Sequence, residues 1–244
     1  MNSAQIELEH VNYSYPGFAP ALRDITFSVR DRESVGLIGA NGVGKSTLLK
    51  LLVGLNPDYE GQILIDRIPV NKKNLPVIRE KIGYVFQDSD SQLFMTRVAD
   101  DVAFAPRNYG LPEDEVRRRT DRALESIGIE SLKHRQIHQL SGGEKKMVSI
   151  ATILAMTPSI ILMDEPSIAL DPGNRRRLIR ILNQLNQTKI IASHDLDMIL
   201  ETCSRVILMA DGKIIQDGDA SDILSDQTLL EAHGLELPLC MQRI

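Results

Sequence analysis

The stretch GANGVGKS at residues 39–46 decides the fold of this chain. An apolar run at residues 34–38 precedes it and is typical of a short buried strand, while residues 46–53 are rich in strong helix formers. A glycine-rich turn between a strand and a helix can point successive backbone N–H groups at one anion, and the positive end of the helix adds to the attraction. The pattern therefore predicts a phosphate-binding loop within an α/β fold.

Two side chains of this loop are expected to meet the phosphates of a nucleotide and its metal ion. Lys45 would neutralise the β- and γ-phosphates, and the Ser46 hydroxyl would be a ligand of Mg²⁺. A nucleoside triphosphate with Mg²⁺ is therefore the predicted ligand. The other predicted nucleotide contacts in this stretch are Gly39, Asn41, Gly42, Gly44 and Thr47.

An acidic pair, Asp164 and Glu165, follows four apolar residues at 160–163. The apolar run predicts a buried strand, and open α/β sheets bind their ligands at the carboxyl ends of such strands. Asp164 would reach Mg²⁺ directly or through water, and Glu165 is the candidate general base that polarises the attacking water. An isolated acidic pair is usually a solvated turn, but the glycine loop in the same chain favours the catalytic interpretation.

Strand and helix patterns alternate along the rest of the chain. Half-buried strands are predicted at residues 6–9 and 22–29, so the chain opens with a β-rich layer. A helical region follows at about 88–140, and beyond it strands and helices alternate as in a largely parallel sheet. Breaks within the helical region are expected at Pro106, Gly110 and Pro112.

Composition excludes several functional classes for a chain of 244 residues. The formal net charge is -5 and the charges are interspersed, so no nucleic-acid partner is expected. The two cysteines, Cys203 and Cys240, do not form a Cys-x-x-Cys pair, and the sequence reads as cytosolic with reduced thiols. The apolar runs are shorter than the roughly 20 residues of a membrane span. If the protein works at a membrane, other chains must cross it.

The segment LSGGE at residues 140–144 helps to decide which kind of nucleotide-binding protein this is. A signalling GTPase would fit the glycine loop and the acidic pair equally well, but residues 71–74 read NKKN and stop one residue short of the guanine-reading Asn-Lys-x-Asp. LSGGE resembles the signature of ATP-binding cassette (ABC) ATPases, which makes ATP the expected nucleotide. Ser141, with the N–H groups of Gly142 and Gly143, would start a helix and form a second anion site.

The resemblance implies the fold and the domain layout. It implies an α/β fold of the P-loop NTPase class, with a mixed, mostly parallel sheet, an N-terminal antiparallel β layer and a helical subdomain at about 88–140. We expect one ATPase domain at residues 1–225 and a short helical tail at 226–244, and the sequence from 221 to about 233 is expected to be helical and peripheral. The resemblance further implies two cassettes packed head to tail, each signature closing on the γ-phosphate held by the glycine loop of the other.

Further site residues follow from the same resemblance. Gln87 matches the glutamine that contacts Mg²⁺ and the attacking water, and His194 matches the histidine that holds the γ-phosphate. Asp171 lies in the loop that crosses the dimer interface. Tyr15 matches the aromatic residue that stacks on adenine, with Tyr13 as the less favoured choice. The implied catalytic residues are Glu165, His194, Gln87 and Lys45, and the implied metal ligands are Ser46, Gln87 and Asp164.

The chain departs from the family pattern at three positions. Met147 stands where the signature helix usually has a basic residue, Glu144 stands where glutamine is common, and Ser167 replaces a common threonine. None of these changes removes a phosphate or metal ligand, so we expect activity to be retained. Met147 raises the question of how the signature helix is anchored.

Within the family, the chain looks like the energy-coupling factor (ECF) transporters, especially the cobalt and nickel importer ATPases. The segments that carry this likeness are residues 13–17, 85–94, 101–111 and 233–238. The likeness implies three partners: a second ATPase subunit, a transmembrane coupling protein that presses into a groove behind Gln87, and a membrane protein that captures the substrate. It places the chain peripherally on the cytoplasmic face of the cell membrane. The alternative is a soluble regulatory ABC protein without a transport role.

Overall fold

The structure, a computed structural model, describes residues 4–242. Residues 1–3 of the predicted domain and 243–244 of the predicted tail lie outside the described residues. The strands are β1 (Ala4–Ser14), β2 (Pro20–Arg30), β3 (Ser34–Ile38), β4 (Glu60–Ile65), β5 (Ile68–Pro69), β6 (Ile82–Val85), β7 (Ile160–Asp164), β8 (Thr188–Ala192), β9 (Arg205–Ala210) and β10 (Lys213–Asp219). The helices are α1 (Lys45–Leu52), α2 (Leu75–Lys81), α3 (Val98–Asn108), α4 (Glu113–Ser126), α5 (Gly142–Leu154), α6 (Pro172–Gln184), α7 (Leu196–Thr202), α8 (Ala220–Ser225) and α9 (Gln227–Ala232).

The strands form two sheets, as the fold-class prediction required. One sheet has the order β2-β1-β4-β5 and is antiparallel throughout. The other has the order β10-β9-β3-β8-β7-β6, in which all neighbours are parallel except β9 and β10. The N-terminal antiparallel layer and the mixed, mostly parallel sheet are therefore both confirmed.

Strand β7 shows where the hydrophobic core sits. Its residues Ile161 and Met163 pack into one apolar cluster, while Ile160 and Leu162 pack into another. Successive side chains of a strand point to opposite faces, so both faces of the parallel sheet are covered. The antiparallel sheet and α1 cover one face, and α5, α6 and α7 cover the other. This burial fixes the carboxyl ends of β3, β7 and β8 at one edge.

The predicted break at Pro106 was wrong, because Pro106 lies inside the last turn of α3. Proline has no backbone N–H, so α3 lacks the hydrogen bond from position 106 to the Val102 carbonyl oxygen, but this single loss does not end the helix there. The helix ends two residues later, and Gly110 then adopts a left-handed φ of 74°. Pro112, as predicted, lies outside the helices and precedes α4.

Residues 221 to about 233 form α8 and α9, as expected of a helical segment, but this segment is not peripheral. Leu224 of α8 and Leu230 of α9 have no exposed surface and belong to the same apolar cluster as α5 and α7. Leu235 and Leu237 pack against that cluster after α9 ends. The tail thus contributes to the core on the helical side of the parallel sheet. Among residues 4–242, no helix is both long and apolar enough to span a bilayer.

Candidate active site

The glycine loop adopts a conformation that only glycine tolerates at its ends. Gly39 has φ 145° and Gly44 has φ 108°, both on the positive side. A Cβ atom would lie 2.3 Å from the Met209 carbonyl oxygen at Gly39 and 2.7 Å from the Ala21 carbonyl oxygen at Gly44. Side chains at these two positions would collide with backbone that cannot move aside. The loop is therefore held tightly between β9 and the start of β2.

Lys45 lies folded back into this loop. It is 7% exposed, and its Nζ atom donates to the Gly39 carbonyl oxygen at 2.5 Å and to the Ala40 carbonyl oxygen at 3.1 Å. Burial lowers the pKa of Lys45, while the charges of Glu165 and Asp164 act in the opposite direction. An ammonium group has three donors, so one N–H remains for a phosphate oxygen.

Ser46 and Asp164 come together although they are distant in sequence. The Ser46 hydroxyl donates to Oδ1 of Asp164 at 2.9 Å, and the Tyr84 hydroxyl donates to Oδ2 at 3.2 Å. Asp164 is only 3% exposed at the end of β7. Hydroxyl and carboxylate oxygens are the kind of ligand that Mg²⁺ prefers, so Ser46 and Asp164 together fit the implied ion.

Glu165 is held at the end of β7 in a strained conformation. Its φ is 48°, in the left-handed region, and its N–H donates to the Ala192 carbonyl oxygen at 2.8 Å. Oε2 accepts from the Ser193 hydroxyl at 3.2 Å and from the His194 backbone N–H at 3.3 Å. Oε1 lies 3.1 Å from Nδ1 of His194, but the two atoms do not form a hydrogen bond. Oε1 therefore accepts no hydrogen bond from the described residues.

Burial raises the pKa of Glu165 to about 7, although the His194 N–H and the charge of Lys45 oppose the change. Burial, together with the charge of Lys45, lowers the pKa of His194, so its imidazole is mostly neutral at pH 7. A carboxyl group with a pKa near 7 is well suited to take a proton from water at that pH. The free Oε1 atom is the one available for this task.

Most of the predicted nucleotide and catalytic residues line one cleft of about 470 Å³, but Gly39 and Asp164 are not among its lining residues. Tyr15 lies beside it, with its hydroxyl 3.2 Å from Oγ1 of Thr47 and its ring edge-on to Tyr13. Tyr13 is buried, so Tyr15 is the tyrosine better placed to meet a base. The cleft is lined by Asn41, Gly42, Gly44, Lys45, Ser46, Thr47, Gln87, Glu165, Ile168 and His194.

The signature residues do not line this cleft. Ser141 and Glu144 form a reciprocal cap at the start of α5: the Glu144 N–H donates to the Ser141 Oγ at 3.2 Å, and the Ser141 N–H donates to the Glu144 carboxylate at 2.8 Å. Ser141 and Gly142 are exposed. Asp171 is also exposed and caps α6 by accepting from the Asn174 N–H at 2.9 Å. These residues therefore face solvent away from their own phosphate loop.

The departure at Met147 does not loosen the signature helix. Met147 is 1% exposed and packs in the apolar cluster of the helical side. The helix is instead anchored by charged neighbours of Met147, since Glu144 pairs with Arg135 at 3.2 Å and Lys145 pairs with Asp90 at 2.6 Å. The substitution of glutamine by Glu144 thus supplies both a cap and an ion pair.

Comparison with known proteins defines the class. The family described as ABC transporter matches residues 22–168, more than half of the chain. The chain is 45% identical to the energy-coupling factor transporter ATP-binding protein EcfA of Methanothermobacter thermautotrophicus over 96% of this chain and 76% of that protein. The chain belongs to the ABC transporter ATPase family, and it is an ATP-hydrolysing enzyme of that family.

Two solved structures are similar to this chain over most of its length. CbiO1 from Clostridium perfringens, part of the ABC transporter complex CbiONQ, superposes with a TM-score of 0.84 at 38% identity, over 98% of this chain and 97% of that one. The cassette MJ0796, solved as a dimer in a post-hydrolysis state with ADP and phosphate, gives a TM-score of 0.80 at 28% identity, over 88% and 98%. The chain is thus similar to ECF-type ATP-binding subunits.

Sequence reasoning missed three residues of the site, two behind the acidic side chains and one in the cleft wall. Tyr84 and Ser193 hold the two acidic side chains, and Ile168 lines the cleft with 37% of its surface exposed. Tyr84 lies on β6, next to β7, and the signal was a hydroxyl within an otherwise apolar strand, which must find a partner when buried. Ser193 directly precedes His194 at the end of β8, which is the same strand-end position that identified Asp164.

Proposed function

We propose that this chain is the ATP-hydrolysing subunit of an ECF-type importer and that it works as one of a head-to-tail pair of ATPase subunits. One observation carries the proposal: the phosphate cleft and the signature Ser141 lie on the same chain but do not meet. The second anion site can close on a nucleotide only if another cassette subunit, a second copy or a paralogue, supplies the opposite half.

Within one cleft, each side chain has a proposed task. Lys45 and the loop N–H groups would hold the phosphates, and Ser46, Asp164 and Gln87 would hold Mg²⁺, which supplies positive charge against the phosphate oxygens when bound. Tyr15 would stack on adenine. Glu165 would accept the proton of the attacking water through Oε1, and the neutral His194 would donate a hydrogen bond to the γ-phosphate.

An exposed aromatic surface supports the proposed membrane partner. Phe94 and Phe104 are 63% and 40% exposed, and their rings meet edge to face at 4.7 Å. Tyr109 is 40% exposed and lines a neighbouring depression of about 350 Å³ with Pro106 and Leu111. Exposed apolar groups in contact with each other mark interaction surfaces. This aromatic surface follows the Gln87 loop along the chain, where the coupling protein is expected to dock.

The transported substrate would be captured by a separate membrane protein. Cobalt, nickel or a vitamin is the proposed cargo, in line with the sequence likeness to cobalt and nickel importers. The described residues 4–242 hold no group of three or more His, Cys, Asp or Glu side chains arranged to bind a metal ion. In this proposal the ATPase subunit supplies energy at the cytoplasmic face of the membrane, and its membrane partners select the cargo.

Co-purification tests the proposed partnership. A double variant, Phe94→Ser with Phe104→Ser, should lose most of the membrane protein that copurifies with the wild-type chain, while its ATP binding stays unchanged. Ile215→Ser is the matched control, because Ile215 is 39% exposed on β10, at the edge of the parallel sheet opposite β6. A wild-type chain that purifies only with soluble partners would contradict the transport role and favour the regulatory one.

A further inference from the structure

Lys146 is a buried lysine that forms no ion pair within the described residues, although the charges of Asp164, Asp88 and Glu165 act on it from a greater distance and oppose the lowering of its pKa by burial. It lies on α5, five residues after Ser141, and is 1% exposed. Its Nζ atom donates to the carbonyl oxygens of Phe86 at 3.0 Å and Gln87 at 2.7 Å. Within residues 4–242 its only hydrogen-bond acceptors are these two backbone atoms.

A buried ammonium group is costly unless its hydrogen bonds are needed. Desolvating a charge is unfavourable, and backbone carbonyl oxygens compensate for it less well than a carboxylate does. A methionine of similar length could fill the same space in the core, as Met147 does next to it. The presence of a lysine therefore indicates that the chain requires the two contacts, not the packing alone.

The two contacts fix the backbone on both sides of Gln87. The Phe86 carbonyl belongs to the peptide plane before the Gln87 Cα atom, and the Gln87 carbonyl belongs to the plane after it. When both oxygens point to one ammonium group, the φ and ψ angles of Gln87 are restricted, because a peptide plane is rigid. The direction in which the Gln87 side chain leaves the backbone toward the cleft is thereby set.

A second, partly buried side chain ties the same loop to the same helix. Oε1 of Gln92 accepts from the Phe86 N–H at 3.1 Å, and its Nε2 donates to the Ser149 carbonyl oxygen at 2.8 Å and to Oγ1 of Thr152 at 2.9 Å. Ser149 and Thr152 lie on α5, one and two turns after Lys146. Residues 86–92 are therefore fastened to α5 at two points.

We propose that Lys146 is a positioning residue that orients Gln87 and joins its loop rigidly to the helix beginning at Ser141. This proposal rests on the role of Gln87 given under the proposed function. Because Gln87 faces the cleft of its own chain and Ser141 faces outward, α5 links the two anion sites within one chain. A displacement of the loop by a docked membrane protein would thus move Ser141 as well.

Hydrogen exchange on the nucleotide-free full chain tests the loop attachment directly. In Lys146→Met, the amides of Gln92 and Leu93, which close the turn after Gln87 by bonding to the Ser89 carbonyl, should exchange at least about tenfold faster. Lys146→Gln keeps an N–H donor and should restore part of the protection. Unchanged exchange in Lys146→Met would overturn the proposal.

Lys189→Met is the matched control for the loss of a buried lysine. Lys189 is 5% exposed on β8, and its Nζ atom also donates to two backbone carbonyl oxygens, those of Leu185 and Gln187. This variant loses the same chemical group far from Gln87. It should match Lys146→Met in lowered thermal stability but leave exchange in residues 86–92 unchanged, and accelerated exchange there would show that Lys146 has only a general effect on stability.

A double-mutant cycle tests whether Lys146 acts through Gln87. Lys146→Met should lower kcat by about 10- to 100-fold, as expected for a displaced site residue, with ATP affinity within about twofold of wild type. Adding Lys146→Met to Gln87→Ala should cause no further loss. If the fold-losses in kcat of the two single variants multiply in the double variant, or if kcat is unchanged in Lys146→Met, the proposal is overturned. If Gln87→Ala alone keeps wild-type turnover, the role assigned to Gln87 fails, and the exchange experiment still decides whether Lys146 holds the loop.

Discussion

Glu165, the proposed general base, has an unusual backbone conformation and an unusual environment. A non-glycine residue in the left-handed region costs about 1–2 kcal/mol, and such strain persists only where the surroundings enforce it. Here the left-handed backbone conformation directs the carboxyl group toward Ser193 and His194, to which it is hydrogen-bonded. The result is a nearly buried carboxyl group with one oxygen held and the other free.

Glu165→Gln should retain ATP binding but hydrolyse ATP at least about 100-fold more slowly, since an amide cannot accept the proton of the attacking water. Because burial raises the pKa of Glu165 to about 7, wild-type turnover should rise as the pH increases through 7 and the carboxylate forms. The residual turnover of Glu165→Gln should lack this rise. Initial rates between pH 6 and 9 provide the measurement.

Glu33→Gln serves as the control for this substitution. The variant makes the same change from carboxylate to amide, but at a residue away from the cleft. The Glu33 carboxylate pairs with Arg205 at 3.2 Å. Its turnover should equal that of the wild type across the pH range. Wild-type turnover by Glu165→Gln would remove Glu165 as the base.

At the scale of single elements, the start of α5 combines stability with binding. Ser141→Ala removes the reciprocal cap and should lower the free energy of unfolding by about 1 kcal/mol. It should also lower ATP turnover, because the hydroxyl that would meet the partner's nucleotide is lost. Asp219→Ala removes a comparable cap from α8 and should cost similar stability without loss of turnover. Equal turnover in the two variants would show that Ser141 is only a cap.

The link between α6 and α7 should make stability depend on pH. Asp195 caps α7 and accepts two hydrogen bonds from Arg175, both at 2.6 Å. Burial would raise the pKa of Asp195, but Arg175 and the Met198 N–H lower it below its usual value of 3.8. A lowered pKa in the folded state means that the stabilisation is present above pH 3.8 and is lost as the pH falls below it.

Asp195→Asn should therefore lower the free energy of unfolding at pH 7 by about 1.5–3 kcal/mol, the range for hydrogen bonds to charged groups. Its deficit relative to the wild type should shrink as the pH falls below about 4. Denaturant unfolding at pH 7 and at pH 3.5 measures both values. Asp114→Asn, which breaks an exposed pair with Arg118, should cost less than about 0.5 kcal/mol, and a pH-independent deficit for Asp195→Asn would contradict the explanation.

Most helices and strands could be predicted from local sequence patterns, but the contacts between side chains of different elements could not. The strand 34–38 and the strand before Asp164 were predicted because apolar runs and glycine turns are local signals. The contact of Tyr84 with Asp164 depends on the pairing of β6 with β7, which are separated by the whole helical region. Lys146 was missed for the same reason, since its acceptors at Phe86 and Gln87 belong to a different element.

At the scale of the whole molecule, the parallel sheet determines where the residues of the cleft come together. The strand order places the ends of β3, β7 and β8 side by side, which brings Lys45, Glu165 and His194 into one cleft. The start of α5 projects elsewhere, with Ser141 exposed. The chain thus carries the phosphate-loop cleft at one place and the signature residues at another, which is the arrangement from which the pairing of two subunits is proposed.

The most direct test of this account measures ATP turnover and molecular mass on the same samples of the purified chain at increasing concentration. Turnover per chain should be low while light scattering gives the single-chain mass of 27.2 kDa, and it should rise in proportion to the fraction of particles that contain two cassettes. Full turnover by particles of 27.2 kDa would contradict the claim that two subunits grip each nucleotide from opposite sides.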